Sequence, residues 1–334
     1  MSKFRPKTVF VLGAGASWPY GFPTGVELRR EILRNLSSKN YDDFQMLVNA
    51  GFDGDAIWAF YNAFRRSQQD SIDAFLTWAA KQNSSFVDIG RAAIAQALIR
   101  REVEDWLFAE DDEDVPSRHG PYSNERLKFR WYRYLWNRIT DEFQNLRDAN
   151  VTFLTFNYDR SLEHFLFTAI HNTHLAEEGS VPSVMERIPV VHVHGRIGQL
   201  PWQKNSGEYQ RAYTPRLDSH VVMKAAEWIR IPGTESPPDQ QHHRAAAELY
   251  QAERIVFLGF GYHPDNLRTL KVPEVLQQGC PQTKDGTRYV CGTAYGLKEA
   301  ERHLVLTQLQ GTTELLPASY DCLELLRQSP KLAD

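Results

Sequence analysis

With 334 residues the chain is long enough for one large domain or two. Hydrophobic residues at 42% and aromatic residues at 12% supply a sizeable core, and a net charge of −4 gives no global bias toward nucleic acid or an anionic membrane. No secretory leader pattern is read at its start, and no apolar run approaches the ~20 residues of a membrane span.

The run Thr8-Val9-Phe10-Val11-Leu12 is apolar and β-branched, and it stops abruptly at Gly13-Ala14-Gly15-Ala16-Ser17. It predicts a buried strand over 7–12 that enters a glycine-rich turn, followed by an amphipathic helix over 24–37. Glycines let a backbone approach a ligand that any Cβ would push away. Amides at such turns and helix starts favour phosphate oxygens. A strand ending in Gly-x-Gly is equally a common tight turn. The third glycine of the dehydrogenase fingerprint is replaced by Trp18, and no strand ending in an acidic residue follows ~20 residues later, so hydride transfer is disfavoured. No Gly-Lys-Ser/Thr follows the glycines, so the Walker pattern fails too.

Residues 38–149 carry helical periodicity with little strand signal. Helices are predicted at 41–50, 53–67, 70–82, 86–108 and 125–147, with an acidic solvated loop over 110–124. Trp58, Phe60, Phe64, Phe75, Trp78, Trp106, Trp131 and Trp136 are read as core. Arg126, Lys128, Arg130, Arg133 and Arg138 are read as the solvated, snorkelling face of an amphipathic helix.

Beyond residue 150 strands alternate with helices. Strands are predicted at 151–155, 189–194, 254–258 and 288–292, and helices at 159–171, 219–230, 241–252 and 297–309. The strands are apolar on both faces, as in sheets covered on both sides. The expected fold is an α/β, Rossmann-like parallel sheet with helices on both faces and a large all-helical insertion. Its division is 1–37 plus 150–334 for the nucleotide-binding domain and 38–149 for the insertion. The loop 232–239, rich in Gly and Pro, borders the site in this reading. Cys280, Cys291 and Cys322 form no Cys-x-x-Cys pair, so buried free thiols and a cytoplasmic location are expected.

In open α/β sheets ligands lie outside the carboxyl ends of the strands. Four predicted strands end in Gly13–Ser17, Asn157-Tyr158-Asp159, His194-Gly195 and Gly259-Phe260-Gly261. Packing alone does not require those residue types there. Asn157 and Asp159 are also good caps for the helix that follows, and His194 is also compatible with a structural role. His192 and His194 share one face of the predicted strand, yet no third metal ligand of suitable spacing accompanies them. His242 and His243 are read as surface residues.

Gly13-Ala14-Gly15-Ala16-Ser17, Thr155-Phe156-Asn157-Tyr158-Asp159 and His192-Val193-His194-Gly195, in that order, resemble the sirtuin (SIR2) family. The late turn Gly259-Phe260-Gly261 adds a weaker match. The resemblance covers about 7–36 and 150–300 and leaves out the helical region. Sirtuin deacylases carry two Cys-x-x-Cys pairs around a structural zinc, and this chain has neither, so no zinc is expected. The closer resemblance is to zinc-free SIR2-like proteins of bacterial anti-phage systems, many of which hydrolyse NAD⁺.

That resemblance implies an NAD⁺ hydrolase with NAD as substrate. Cleavage of the nicotinamide–ribose bond passes through an oxocarbenium-like ribose. Ala14, Gly15, Ala16 and Ser17, entered from Gly13, would grip the diphosphate. Asn157 would orient water and a ribose hydroxyl together. By the resemblance His194 would act on a ribose hydroxyl or the attacking water. Asp159 would hold a hydroxyl or bias the field toward the cationic sugar. Gly259 and Gly261 would border the adenosine half, with Asn266 hydrogen-bonding there. The resemblance also implies homo-oligomers and a partner ATPase of the HerA type or an Argonaute-type sensor, with no direct nucleic-acid or membrane contact. Two alternatives stay open: an NAD- or ADP-ribose-binding module without turnover, and an ADP-ribosyltransferase. A nuclease lacks its paired-carboxylate metal signature.

Overall fold

The computed structural model describes residues 6–39, 41–110, 124–140, 150–173, 181–203, 207, 209–232, 240–310 and 313–333. The acidic segment 111–123, the loop 233–239 and the stretch 141–149 that closes the predicted helix 125–147 lie outside the described residues. Five runs rich in Val, Ile, Phe and Thr form strands close to their predicted places: β1 (Thr8–Leu12), β2 (Val151–Thr155), β3 (Val190–His192), β4 (Arg254–Leu258) and β5 (Tyr289–Gly292). A sixth, β6 (Glu314–Leu315), is too short to carry a periodic signal.

All pairings are parallel, and the order is β3-β2-β1-β4-β5-β6. This is the order of dinucleotide-binding sheets, in which the chain reverses its direction of growth between the first and fourth strands. Side chains alternate between two apolar layers, as the period of a strand requires. Val9, Val11, Leu154, Ile255 and Phe257 pack with Leu249, Leu267, Leu270 and Leu309 on one face. Phe10, Leu12, Phe153 and Val256 point the other way, into the helical region. The protein is therefore an α/β fold with a parallel sheet flanked by helices.

Every element between residues 42 and 140 is helical among the described residues. This region shares one core with its face of the sheet: Phe60, Phe64, Phe75 and Ile94 belong to the same apolar cluster as Phe10 and Phe153. Three buried ion pairs add to it. Arg101 pairs with Glu31, and Arg160, just after β2, donates Nε to Glu102 Oε1 (2.8 Å) and Nη2 to Glu102 Oε2 (2.6 Å). Arg211 also pairs with Glu102. Neither Arg160 nor Glu102 has any exposed surface.

These buried charges explain why the predicted helix 86–108 is two helices, Ser84–Ile99 and Glu104–Phe108. The break carries Arg101 and Glu102 inward. Predicted helix 125–147 is divided as well, into a 3₁₀ turn Asn124–Phe129 and a helix Tyr132–Thr140. The Tyr20 hydroxyl accepts the Trp131 and Tyr132 amides (2.8 and 2.6 Å) and so caps the second piece. Arg126 is a correction: it is buried rather than solvated. Trp78 is another, 51% exposed where the core was expected. The three cysteines are free and buried, and no helix among the described residues is long and apolar enough to cross a membrane.

Candidate functional site

β1 and β4 stay paired to their carboxyl ends, and the glycine turns that follow them meet there. The Gly13 amide donates to Leu258 O (3.0 Å) and the Gly15 amide to Gly259 O (3.0 Å). A Cβ on Gly13 would lie 2.6 Å from Gly259 O, and one on Gly15 would lie 2.9 Å from Gly259 Cα. Gly259 has φ +56°, and its Cβ would meet Ala16 N at 2.1 Å. These glycines let two turns of the protein touch, a reason that the sequence pattern does not separate from close approach to a ligand. The Gly15 amide is thereby engaged, and the Ala16 amide donates to Gly13 O (2.9 Å). These two amides already have partners, which corrects the expectation that both point at a diphosphate. Gly261 is different: a Cβ there meets nothing within 4 Å.

A cleft of about 540 Å³ opens over this junction, bordered by Ala14, Gly15, Gly259, Phe260 and Gly261. Ligand sites commonly span ~300–1,000 Å³. Its far wall is Thr293, Ala294 and Tyr295, and its floor includes Asp321 and Cys322. Trp18 and Phe129 also line it, their rings 5.8 Å apart, and Phe129 meets Tyr295 at 6.4 Å. Trp18 is held firmly. Its Nε1 donates to Glu27 Oε1 (3.1 Å), and the Arg126 guanidinium lies 4.2 Å over its ring. Arg126 also donates to Glu27 (3.2 Å) and to Trp18 O (3.2 Å). Burial opposes the Glu27 charge, but hydrogen bonds from Thr24 and Trp18, with Arg126, hold its carboxyl below the usual range.

Sequence reasoning missed Thr293, Tyr295 and Asp321. The first two follow the carboxyl end of β5, where a ligand site is expected as it is for the other strands. Asp321 caps the helix Cys322–Gln328, accepting the Leu323 and Glu324 amides on Oδ1 (2.7 and 3.0 Å). Its sequence context gives no sign that it faces a cleft.

Asn157, after β2, is anchored to the first turn. Its Nδ2 donates to Gly13 O (3.0 Å) and Ser17 Oγ (3.2 Å). Both amide hydrogens are thus engaged, and Oδ1 remains an acceptor with no protein partner among the described residues. Ser17 also hydrogen-bonds Asp159. Asp159 is buried, with Oδ1 accepting the Ser161 amide (3.0 Å) and hydroxyl. Burial pushes its carboxyl up despite the Ser161 and Ser17 hydrogen bonds. The structure thus joins Gly13, Ser17, Asn157 and Asp159, with Asp159 turned inward as a cap rather than toward the cleft.

His192 holds the Asn157 loop from behind, a role that sequence reasoning missed. Its Nδ1 lies 2.9 Å from Asn157 O, and its Nε2 lies 2.7 Å from Glu163 Oε1. Both ring nitrogens are thus engaged by oxygen atoms. Burial raises the Glu163 carboxyl, but His192 and Arg196 outweigh it and hold the group below its usual range.

β3 ends at His192, two residues sooner than predicted, so the histidines do not pair. His194 packs edge-on against Phe156 (5.0 Å), which in turn meets Phe260 (5.2 Å) at the cleft wall. Asn266 hydrogen-bonds the His194 ring and is not among the residues that border the cleft. Burial lowers the His194 pKa to about 4, against the Asn266 hydrogen bond. No hydrogen bond joins His194 to Asn157 among the described residues. Neither Asn157 nor His194 is among the residues that border the cleft. Among the described residues no group of three His, Cys, Asp or Glu side chains is placed to hold a metal.

Neither a family of known proteins nor a curated protein matches the chain.

Proposed function

We propose that the chain binds NAD⁺ across the β1–β4 junction and hydrolyses its nicotinamide–ribose bond. The observation that carries the reading is the position of the 540 Å³ cleft, at the switch point of a 3-2-1-4-5-6 sheet and bordered by both glycine turns. Tyr295, 61% exposed on the rim, offers a face for adenine. Asn157 Oδ1, fixed through Gly13 and Ser17, is the acceptor that orients a ribose hydroxyl or the attacking water. Water adds to the ribose anomeric carbon, nicotinamide leaves as the neutral base, and one proton is released. By the sirtuin resemblance His194, neutral at pH 7 because of its burial, would receive that proton once the ribose reaches past Phe156 and Phe260.

The test is direct. Nicotinamide and ADP-ribose are quantified after incubation with NAD⁺ for wild type, Asn157→Ala and His194→Ala. Each variant loses about 10²-fold or more in turnover. Near-wild-type turnover in a folded variant removes that residue from the mechanism. A second reading, nucleotide binding without turnover, is favoured by one observation: His194 lies behind Phe156 and Phe260 rather than in the cleft. Saturable NAD⁺ binding with no nicotinamide release would select it, and transfer of labelled ADP-ribose to an acceptor would select a transferase. A hydrolase of this kind would need restraint in its host, and assembly with further copies or with a partner ATPase would supply it; light scattering with and without such a partner tests that part.

A further inference from the structure

Behind the cleft, on the far side of Phe156 and Phe260, a second crevice of about 220 Å³ opens beside His194. It is much larger than the ~30 Å³ share of one water and smaller than the ~300 Å³ at which sites for drug-sized ligands begin. Six basic side chains line it: His194, Arg230, His242, His243, Arg268 and Lys271. No carboxylate lines it among the described residues. The nearest acid named by its contacts is Asp265, which pairs with Arg268 one turn back along the same helix. His194 is 6% exposed, and its Nε2 is buried with no hydrogen-bond partner among the described residues. A buried polar atom without a partner is costly unless something fills the space beside it. Lys271 is held at φ +53°, a conformation that non-glycine residues adopt at a cost.

We propose that this crevice is an anion subsite that takes a phosphate or diphosphate group, with His194 at its inner end and Arg268 and Lys271 at its mouth. The volume admits such a group but not a whole nucleotide. Guanidinium and ammonium groups are the side chains that recognise phosphate oxygens. The subsite stands independently of NAD⁺ hydrolysis, because it rests only on the residues around His194. An anion seated beside the ring also favours its protonated form, so occupancy makes His194 a stronger base.

The test uses the whole protein with inorganic phosphate and pyrophosphate as probes. Titration calorimetry is run alongside NMR of the His194 ring, assigned by comparison with His194→Gln. The expected result is saturable pyrophosphate binding, weakened tenfold or more in the Arg268→Ala/Lys271→Ala double variant, with the His194 pKa raised when the probe is bound. Both substituted residues are exposed, so the fold is kept. No saturable binding, equal binding by the double variant, or a His194 pKa unmoved by the probe overturns the proposal. A competition arm identifies the source of the group. Displacement of pyrophosphate by NAD⁺ assigns it to the diphosphate of that dinucleotide. Simultaneous binding assigns it to a separate phosphorylated ligand.

Discussion

A histidine held out of water takes up a proton reluctantly, and His194 does so only near pH 4. In the unfolded chain the same group titrates near ~6.5. Between those values the unfolded state binds more protons, so stability rises with pH across this window and is lost as pH falls through it. The loss between pH 7 and pH 5 comes to about 2 kcal/mol for this one residue. Urea denaturation of wild type and His194→Asn at both pH values checks it: the wild type loses about 2 kcal/mol more than the variant. Equal losses would mean that His194 is not desolvated as described. The sequence marked His194 and Asn157 as unusual because neither belongs at the end of an apolar strand for packing reasons. It did not show that His194 packs against Phe156 rather than bonding Asn157, since which way two neighbouring side chains point depends on where the strand stops. Nor could it reveal the Glu163–His192 contact, which joins residues 29 positions apart.

At the scale of elements, the two turns that meet at the cleft give a sharp contrast between glycines. Gly259→Ala places a Cβ 2.1 Å from Ala16 N and forces an L side chain to φ +56°, so the variant is expected to lose about 3 kcal/mol or more. Gly261→Ala meets open space and stays within about 0.5 kcal/mol of wild type. Thermal melts followed by circular dichroism separate the two cases. A comparable melt for Glu102→Ala tests the buried cluster, because removing this carboxylate strands Arg160 and Arg211 and is expected to cost about 3–5 kcal/mol. Five strands were legible because each is a β-branched run bounded by polar or glycine residues. β6, at two residues, has no period to read. The helix over 86–108 was legible only as a length of apolar periodicity. Its break at Arg101 and Glu102 answers to partners at Glu31, Arg160 and Arg211, which local pattern cannot supply.

Across the whole molecule, the helical region and the sheet share one apolar cluster, with Phe10 and Phe153 stacked at 5.3 Å beneath it. Tyr158, at the end of β2, donates to Asp73 of the helix Ile72–Ala79 (2.7 Å) and so ties that region to the strand ends. Helices and sheet are accordingly expected to unfold together. Tryptophan fluorescence and far-ultraviolet circular dichroism should trace coincident urea transitions, and separated midpoints would show that the helical region unfolds on its own. The chain has eight tryptophans, and Trp18 is the one that borders the cleft. Its indole is pinned by Glu27 and covered by Arg126 on one side. The protein thus carries a fixed intrinsic fluorophore at the mouth of its own cleft. A purine that settles against it will dim its emission, and the affinity of an unlabelled nucleotide can be read from light alone, with Trp18→Phe as the dark control.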